Sequence, residues 1–295
     1  MAELTIRAAG PGDVAVIGAI AAAAGQEDDW SGRNPAYVRH LLRHGRVLVA
    51  VVGEPGPGAQ VAGFGATQLI GSGVAAVTML CDLFVHPAAH GRGVRRALLA
   101  ALWEPAPGRP GPRRMTFSSM HPNALPLYTS FGLDAWWPLL SLAGDGRALS
   151  APSGWAVSAA AAGAVSKLER GWTGTDRSAD HRAWAGRPNG SGLLVSRNGA
   201  PVAAGTAAGP EGEYALVHLA ISPAAGDEAA MAAVVTALAG LRPPGPVTTV
   251  CLPGPHPAVR PLLASGWKVT GVDQFMASEP GLLDPRRAVP SPGQA

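Results

Sequence analysis

The chain is poor in the residues that mark several large classes of protein. Among its 295 residues there are two cysteines, Cys81 and Cys251, both inside apolar, strand-like runs. That excludes a disulfide framework and leaves no ligand spacing for a metal, so reduced core positions are expected. Lysine is scarce while alanine, glycine, proline and arginine abound, which reads as a coding bias without functional content. A formal net charge of +3 is too mild to argue for nucleic acid. The arginines are spread out with few aromatics among them, so no strand-binding surface is evident. The longest apolar run, Val14 to Ala24, is far short of a membrane span. The start of the chain has no basic, apolar, small-residue leader pattern, and cytoplasm is the expected compartment. Hydrophobic residues still make up 47% of the chain, enough for a packed core despite the glycines. The length suits two domains.

What is present centres on residues 82–99, Asp-Leu-Phe-Val-His-Pro-Ala-Ala-His-Gly-Arg-Gly-Val-Arg-Arg-Ala-Leu-Leu. An apolar strand ends at Val85, a short connection follows, and His90-Gly91-Arg92-Gly93 opens a helix carrying Ala97, Leu98 and Leu99. A strand, a glycine turn and a helix start form an anion site in that order. The first helical amides have no partner inside the helix, and the macrodipole places partial positive charge there. Glycines admit close backbone approach, and Arg92, Arg95 and Arg96 add charge. No Gly-Lys-Ser/Thr follows, so this is not a Walker loop. Arg96 stands where a dinucleotide fingerprint needs its third glycine.

The stretch resembles the acetyl-CoA signature of the GNAT superfamily of N-acetyltransferases, Gln/Arg-x-x-Gly-x-Gly/Ala. Here it reads His90-Gly91-Arg92-Gly93-Val94-Arg95, with His90 and Arg95 departing from the pattern. Both flanks match, Leu83-Phe84-Val85 before and Arg96-Ala97-Leu98-Leu99 after. A second segment agrees: Asn123 opens a short helix after Pro122, Tyr128 follows five residues on, and Phe131-Gly132-Leu133 leads into a strand. Asn123 is read as a helix cap and Gly132 as a terminator.

The order read for residues 1–143 is β-α-α-β-β-β-α-β-α-β, the GNAT order. Strands are predicted at 4–8, 46–52, 60–70, 74–85, 113–119 and 133–142, and helices at 11–24, 35–43, 93–102 and 123–131. Residues 144–154 read as a linker. Residues 155–280 read as a degenerate repeat, with a hairpin about Asn198-Gly199, strands at 214–221, 247–252 and 267–277, and helices at 227–238 and 258–264. Residues 281–295 are Pro-rich and expected to be disordered. The fold class expected is therefore α/β (α+β): two tandem GNAT-like domains, each a mixed, mainly antiparallel twisted sheet flanked by helices.

Aligned on each other, Leu83-Phe84-Val85-His86-Pro87 matches Leu219-Ala220-Ile221-Ser222-Pro223. The second half then carries Gly226-Asp227-Glu228 against His90-Gly91-Arg92, Ala229 against Gly93, and Leu262 against Tyr128. An acidic pair would repel a pyrophosphate, so cofactor binding is expected in the first half alone. The Asp176-Arg177 pair also fits the C-terminal domain of tandem acetyltransferases.

The resemblance implies transfer of an acetyl group from acetyl-CoA, a co-substrate, to a small-molecule primary amine by direct attack, with no metal. It places Leu83, Phe84, Val85, His90, Gly91, Arg92, Gly93, Val94, Arg95, Arg96 and Asn123 at the cofactor. Tyr128 takes the role of acid for the leaving thiolate. An amine of pKa about 10.4 is neutral in only about one molecule in a thousand at pH 7, so a base or a desolvated site must remove a proton. Asp82 stands beside Cys81 where related enzymes have Glu-Asp, and fits a base, an amine holder or a structural ion pair. His86 and His121 are alternative bases. Glu27, Asp28, Asp29 and Trp30 border the acceptor site in such folds and suit a cationic acceptor or plain solvation; Trp136 and Trp137 fit a pocket wall or packing. The expected partners are the amine acceptor and, as an open option, a second copy, with neither nucleic acid nor membrane. A non-catalytic acyl-CoA-binding or regulatory protein is the alternative.

Overall fold

The structure, a computed structural model, describes residues 4–25, 35–53, 60–71, 76–104 and 113–293. Contacts divide the chain into two compact units, Met1–Thr116 and Phe117–Ala295.

In the first unit β1 (Leu4–Ala8) is followed by α1 (Val14–Ala23), α2 (Pro35–His44), β2 (Arg46–Val52), β3 (Gln60–Ile70), β4 (Val77–Val85), α3 (Val94–Leu102) and the start of β5 (Arg113–Ser119). The strands lie side by side in chain order; β1 to β4 are antiparallel and β5 runs parallel to β4. Alternation along β3 gives its faces different tasks. Phe64 and Ala66 are buried with Ile17, Ile20, Tyr37, Val38 and Leu41 of α1 and α2. Gly63 and Gly65 point the other way, toward α3. A Cβ on Gly65 would come within 2.6 Å of Leu102 Cδ1, so glycine is what lets α3 lie close on the strand.

The second unit contains α4 (Ala124–Thr129), β6 (Asp134–Gly144), β7 (Trp155–Ala160), α5 (Ala162–Thr173), α6 (Ser178–Ala185), β8 (Ser191–Arg197), β9 (Ala200–Ala208), β10 (Ala215–Ile221), α7 (Asp227–Gly240), β11 (Thr248–Pro253), α8 (Val259–Ala264), β12 (Lys268–Ala277) and β13 (Ala288–Val289). Its sheet runs β12-β6-β11-β10-β9-β8-β7, with β13 on β10. The alanine-rich α7 packs on one face, its Ala230, Ala233 and Val234 buried with Leu193, Val195 and Leu219 of the sheet. On the other face Trp184 of α6 is buried with Ala208 and Val217.

From β7 to β12 the element order repeats that from β1 to β6, element for element. One strand breaks the simple tandem. β6, read as the closing strand of the first repeat, lies between β11 and β12 and pairs antiparallel with both, Val250 opposite Leu142 and Val272 opposite Leu140. Contacts therefore divide the chain at Thr116/Phe117, whereas composition points to 143/144. The segment 144–154 is no bare linker either, since Gly146 is buried against Leu238. The expectation of a disordered tail from residue 281 is corrected: Val289 is fully buried and β13 is hydrogen-bonded into the sheet. Its apolar Ala-Val pair and two anchoring arginines outweigh the prolines around it. The predicted hairpin forms, with Asn198 at φ 51° and Gly199 at φ 81°.

Candidate active site

β4 is paired on its β3 side along its length but on its β5 side only as far as Leu80, opposite Thr116. Thr116 Oγ1 donates to the Leu80 carbonyl at 3.0 Å and closes that last rung. Cys81 is then an extra residue between the Leu80–Thr67 and Asp82–Ala66 pairs, a bulge that bends the strand. Past it, β4 runs from Asp82 to Val85 with no strand registered on the β5 side among the described residues. Leu83, Phe84 and Val85 thus line a wedge that opens along the β4 edge past its last registered rung.

The wedge leads into the glycine turn. Gly91 and Gly93 have φ of 76° and 77°, the left-handed region that glycine enters at no steric cost. Gly93 is the N-cap of α3, and the first intrahelical bond runs from Ala97 N to the Gly93 carbonyl at 3.0 Å. A Cβ on either glycine would meet nothing within 4 Å, so the concavity is open and glycine is required by φ alone. Val94 is buried and anchors the helix start, while Arg92 and Arg96 are exposed. His90, which replaces the usual Gln/Arg, ties the turn to the strand: its Nε2 donates to the Val85 carbonyl at 3.0 Å. Arg95 Nη2 comes to 3.5 Å from that same nitrogen, which puts a guanidinium beside the turn. Successive amides at a helix start with added cations form an anion-binding concavity.

Asp82, the first residue past the bulge, accepts a hydrogen bond from the Tyr37 hydroxyl of α2 at 2.7 Å. Tyr37 is almost fully buried, and its part was not readable from sequence because the two residues lie on distant elements. His86 accepts from Ala88 N and shapes the connection after β4. Glu27, Asp28, Asp29 and Trp30 lie outside the described residues.

Tyr128 and Asn123 belong to the second unit. Tyr128 is largely buried on α4, and its carbonyl accepts from Phe131 N and Leu133 N where Gly132, at φ 82°, ends the helix as expected. The expected capping role of Asn123 is corrected. It stands at the N-cap in helical conformation without a side-chain cap bond, and it is His121 Nδ1 that accepts from the Asn123 amide at 3.2 Å. Trp137 is buried and stacks on Phe275 with ring centroids 4.3 Å apart, whereas Trp136 is exposed and donates its Nε1 to the Ala277 carbonyl.

No protein-family model matches the sequence, and no curated protein matches it. Solved structures do. A Pyrococcus horikoshii protein assigned as an acetyltransferase aligns over 99% of this chain and 96% of its own, with TM-score 0.72 and 14% identity. A GCN5-related N-acetyltransferase from Anabaena variabilis aligns over 93% of this chain and 72% of its own, with TM-score 0.64 and 13% identity. A tandem GNAT protein from the clavulanic acid biosynthesis pathway aligns over 96% of this chain and 100% of its own, with TM-score 0.60 and 14% identity. The fold is that of the GCN5-related N-acetyltransferases.

Within this GNAT fold the second repeat keeps the wedge and changes its contents. β10 pairs parallel with β11 only to Leu216, opposite Val250, and Val217 is then an extra residue before His218, opposite Thr206. His218 thereby stands at the place of Asp82. Gly226 is extended at φ −73° and α7 begins at Asp227, so the residues that match Gly91-Arg92-Gly93 are helical. A left-handed glycine turn is absent there.

His218 belongs to a buried network that sequence reading missed. Its Nε2 donates to Glu169 Oε1 at 2.9 Å, and His181 Nε2 lies 2.6 Å from Glu169 Oε2. His181 Nδ1 meets Thr206 Oγ1 at 2.8 Å. Burial pushes the Glu169 carboxyl up, but His218, the two imidazole hydrogen bonds and Arg177 outweigh it and hold the group below the usual range. Burial pushes the His218 imidazole below its ordinary value, against the opposing pull of Glu169. The noted Asp176-Arg177 pair frames this face: Asp176 accepts from Ser178 N at the start of α6, and Arg177 is buried on Asp180 and the Trp184 ring. Glu169, His181 and His218 each put a ligand atom within 4.8 Å of the others. The arrangement is nevertheless that of a hydrogen-bonded network. His218 and His181 each aim a ring nitrogen at the carboxylate, and the Nδ1 of His218 has no partner among the described residues. The one visible signal was His218 at the register of Asp82.

Proposed function

We propose that the first repeat binds acetyl-CoA and transfers its acetyl group to a small-molecule primary amine by direct attack. The observation that carries this reading is the open wedge beside Leu83–Val85 leading into a doubly left-handed glycine turn at a helix start. Backbone groups of Leu83, Phe84 and Val85 are suited to an extended arm carrying amides, and an amide there would polarise a thioester carbonyl. The amides of the Gly91–Arg96 turn, with Arg92, Arg95 and Arg96, suit a pyrophosphate. The open concavity at both glycines supports the fit.

Asp82, which accepts from the Tyr37 hydroxyl, is assigned to the acceptor's ammonium and its proton. Tyr128 is assigned the proton that the leaving sulfur needs, a phenol of pKa about 10 matched to a thiolate of about 8.5. Glu27, Asp28, Asp29 and Trp30 are assigned to the acceptor side, where their charge favours a cationic amine. The departure at Arg95, which lies beside His90 in place of Gly/Ala, favours the second reading, an acyl-CoA binder without turnover.

Release of free CoA, followed with a thiol reagent across a panel of polyamines, amino acids, aminoglycosides and peptide amines, separates the two. Amine-dependent release is expected for at least one class. Tight acetyl-CoA binding with no release on any amine would leave the binder.

A further inference from the structure

In the second unit, Gly271, Asp273 and Phe275 of β12 alternate onto one sheet face, where they stand opposite Ser141, Leu139 and Trp137 of β6. This row gives Asp273 an apolar setting. Leu139, directly opposite, is fully buried. Phe275, two residues along, and Trp137, on the diagonal, start about 7 Å away, within reach of a large side chain. Their rings stack, and the half-buried Phe117 ring tilts against Phe275 at 5.4 Å and against Trp137 at 6.1 Å between centroids. The other polar groups of the row satisfy each other. Ser141 Oγ and Cys251 Sγ of β11 lie 3.6 Å apart, and burial pushes the Cys251 thiol up to about 11, so it stays protonated. Asp273 itself is half-buried and makes no hydrogen bond or ion pair among the described residues. Burial holds its carboxyl above the ordinary value, and no donor or cation acts in the opposite direction. A carboxylate withdrawn from water without a partner costs stability, so a cation is what this place lacks.

We propose that Asp273 and the rings of Phe117, Trp137 and Phe275 form a binding site for a primary ammonium on a short apolar stem. An ionised carboxylate only accepts hydrogen bonds, and an ammonium only donates them, so the two match without help from other polar groups. Aromatic rings suit both parts of such a ligand, covering an apolar stem and attracting a nearby cation. Gly271, at the other end of the row, puts no side chain beside the carboxylate. An anion is excluded by charge. The amine class agrees with the acceptor proposed above, but binding here is read without acetyl-CoA and does not rest on the transfer reading.

The test uses the full-length chain, with butylammonium as the probe and butanol as its uncharged match, both titrated by saturation-transfer NMR. The wild type should bind butylammonium in preference to butanol. Asp273→Asn should weaken the amine about tenfold or more and leave butanol unchanged. Asn has the shape of Asp, so the variant keeps the row. Freed of a desolvated charge, it should be at least as stable in urea at neutral pH as the wild type. Asp82→Asn, altered in the first unit, should leave the Asp273-dependent binding in place. Butylammonium that binds no better than butanol would overturn the proposal, as would amine binding that Asp82→Asn removes and Asp273→Asn does not. An Asp273→Asn variant less stable than wild type would also overturn it, since the carboxylate would then have a structural partner. Release of CoA across the amine panel tests transfer separately, so either reading can fail alone.

Discussion

Tyr128 and Glu169 show how far a single side chain carries meaning here. Tyr128→Phe should lower turnover about a hundredfold while leaving acetyl-CoA affinity nearly unchanged. In the proposed role the hydroxyl would supply its proton only as charge builds on the leaving sulfur. Steady-state kinetics with a separate binding measurement decides it, and unchanged turnover would remove Tyr128 from the mechanism. Glu169→Gln should destabilise the fold by about 2–3 kcal/mol, because an amide supplies one oxygen where two imidazole N–H groups each need an acceptor. Urea unfolding reads this directly; a stability equal to wild type would mean the network contributes no net stability. The helix that carries Tyr128 was legible because its start, its glycine stop and the Phe-Gly-Leu run after it are all local. Glu169 was not, because its partners His181 and His218 come from other elements and only the folded chain brings them together.

At the scale of elements, the strand–turn–helix from β4 to α3 was readable since its glycines, flanking apolar run and arginines are all local. The segment from β7 to α6 was not assigned from sequence. Its run from Ala156 to Ala164 is almost all small residues, which give neither a period of two nor one of 3.6. β13 escaped for another reason, since a strand of two residues has no period at all. The stretch between β11 and α8 carries a pH signature. Burial pushes the His256 imidazole down to about 4, with Arg286 adding to the effect, and its Nδ1 accepts from Ala258 N. The unfolded chain binds a proton near pH 6.5 that the folded chain refuses. Stability from this group is therefore present above pH 6.5 and is lost as pH falls toward 4, by about 2 kcal/mol between pH 8 and pH 5. His256→Asn keeps an acceptor for Ala258 N without a titration in this range. Urea midpoints across pH 5–8 should slope less in that variant; equal slopes would assign the acid sensitivity elsewhere.

The whole molecule is a duplicated GNAT plan in which the copies have diverged in how they use one shared device, a bulged strand beside a wedge. The first copy leaves the wedge open and builds a glycine turn at its end. The second closes its wedge with β13 and has an acidic helix start where the first has its glycine turn. The repeat was visible in the matching Leu-Phe-Val-His-Pro and Leu-Ala-Ile-Ser-Pro runs. The exchange of β6 into the second sheet was not, since strand order depends on long-range pairing that no local pattern records. Among the described residues no helix is long and apolar enough to cross a membrane.

Calorimetric titration of the intact chain with acetyl-CoA, beside Gly93→Asp, tests the central claim most directly. Gly93 lies at φ 77° with open space around it, so the substitution sets a carboxylate and backbone strain into the turn without crowding the core. The account predicts one site per chain in the wild type and no measurable binding in a folded Gly93→Asp variant. Two equivalent sites, or unchanged binding by the folded variant, would contradict it.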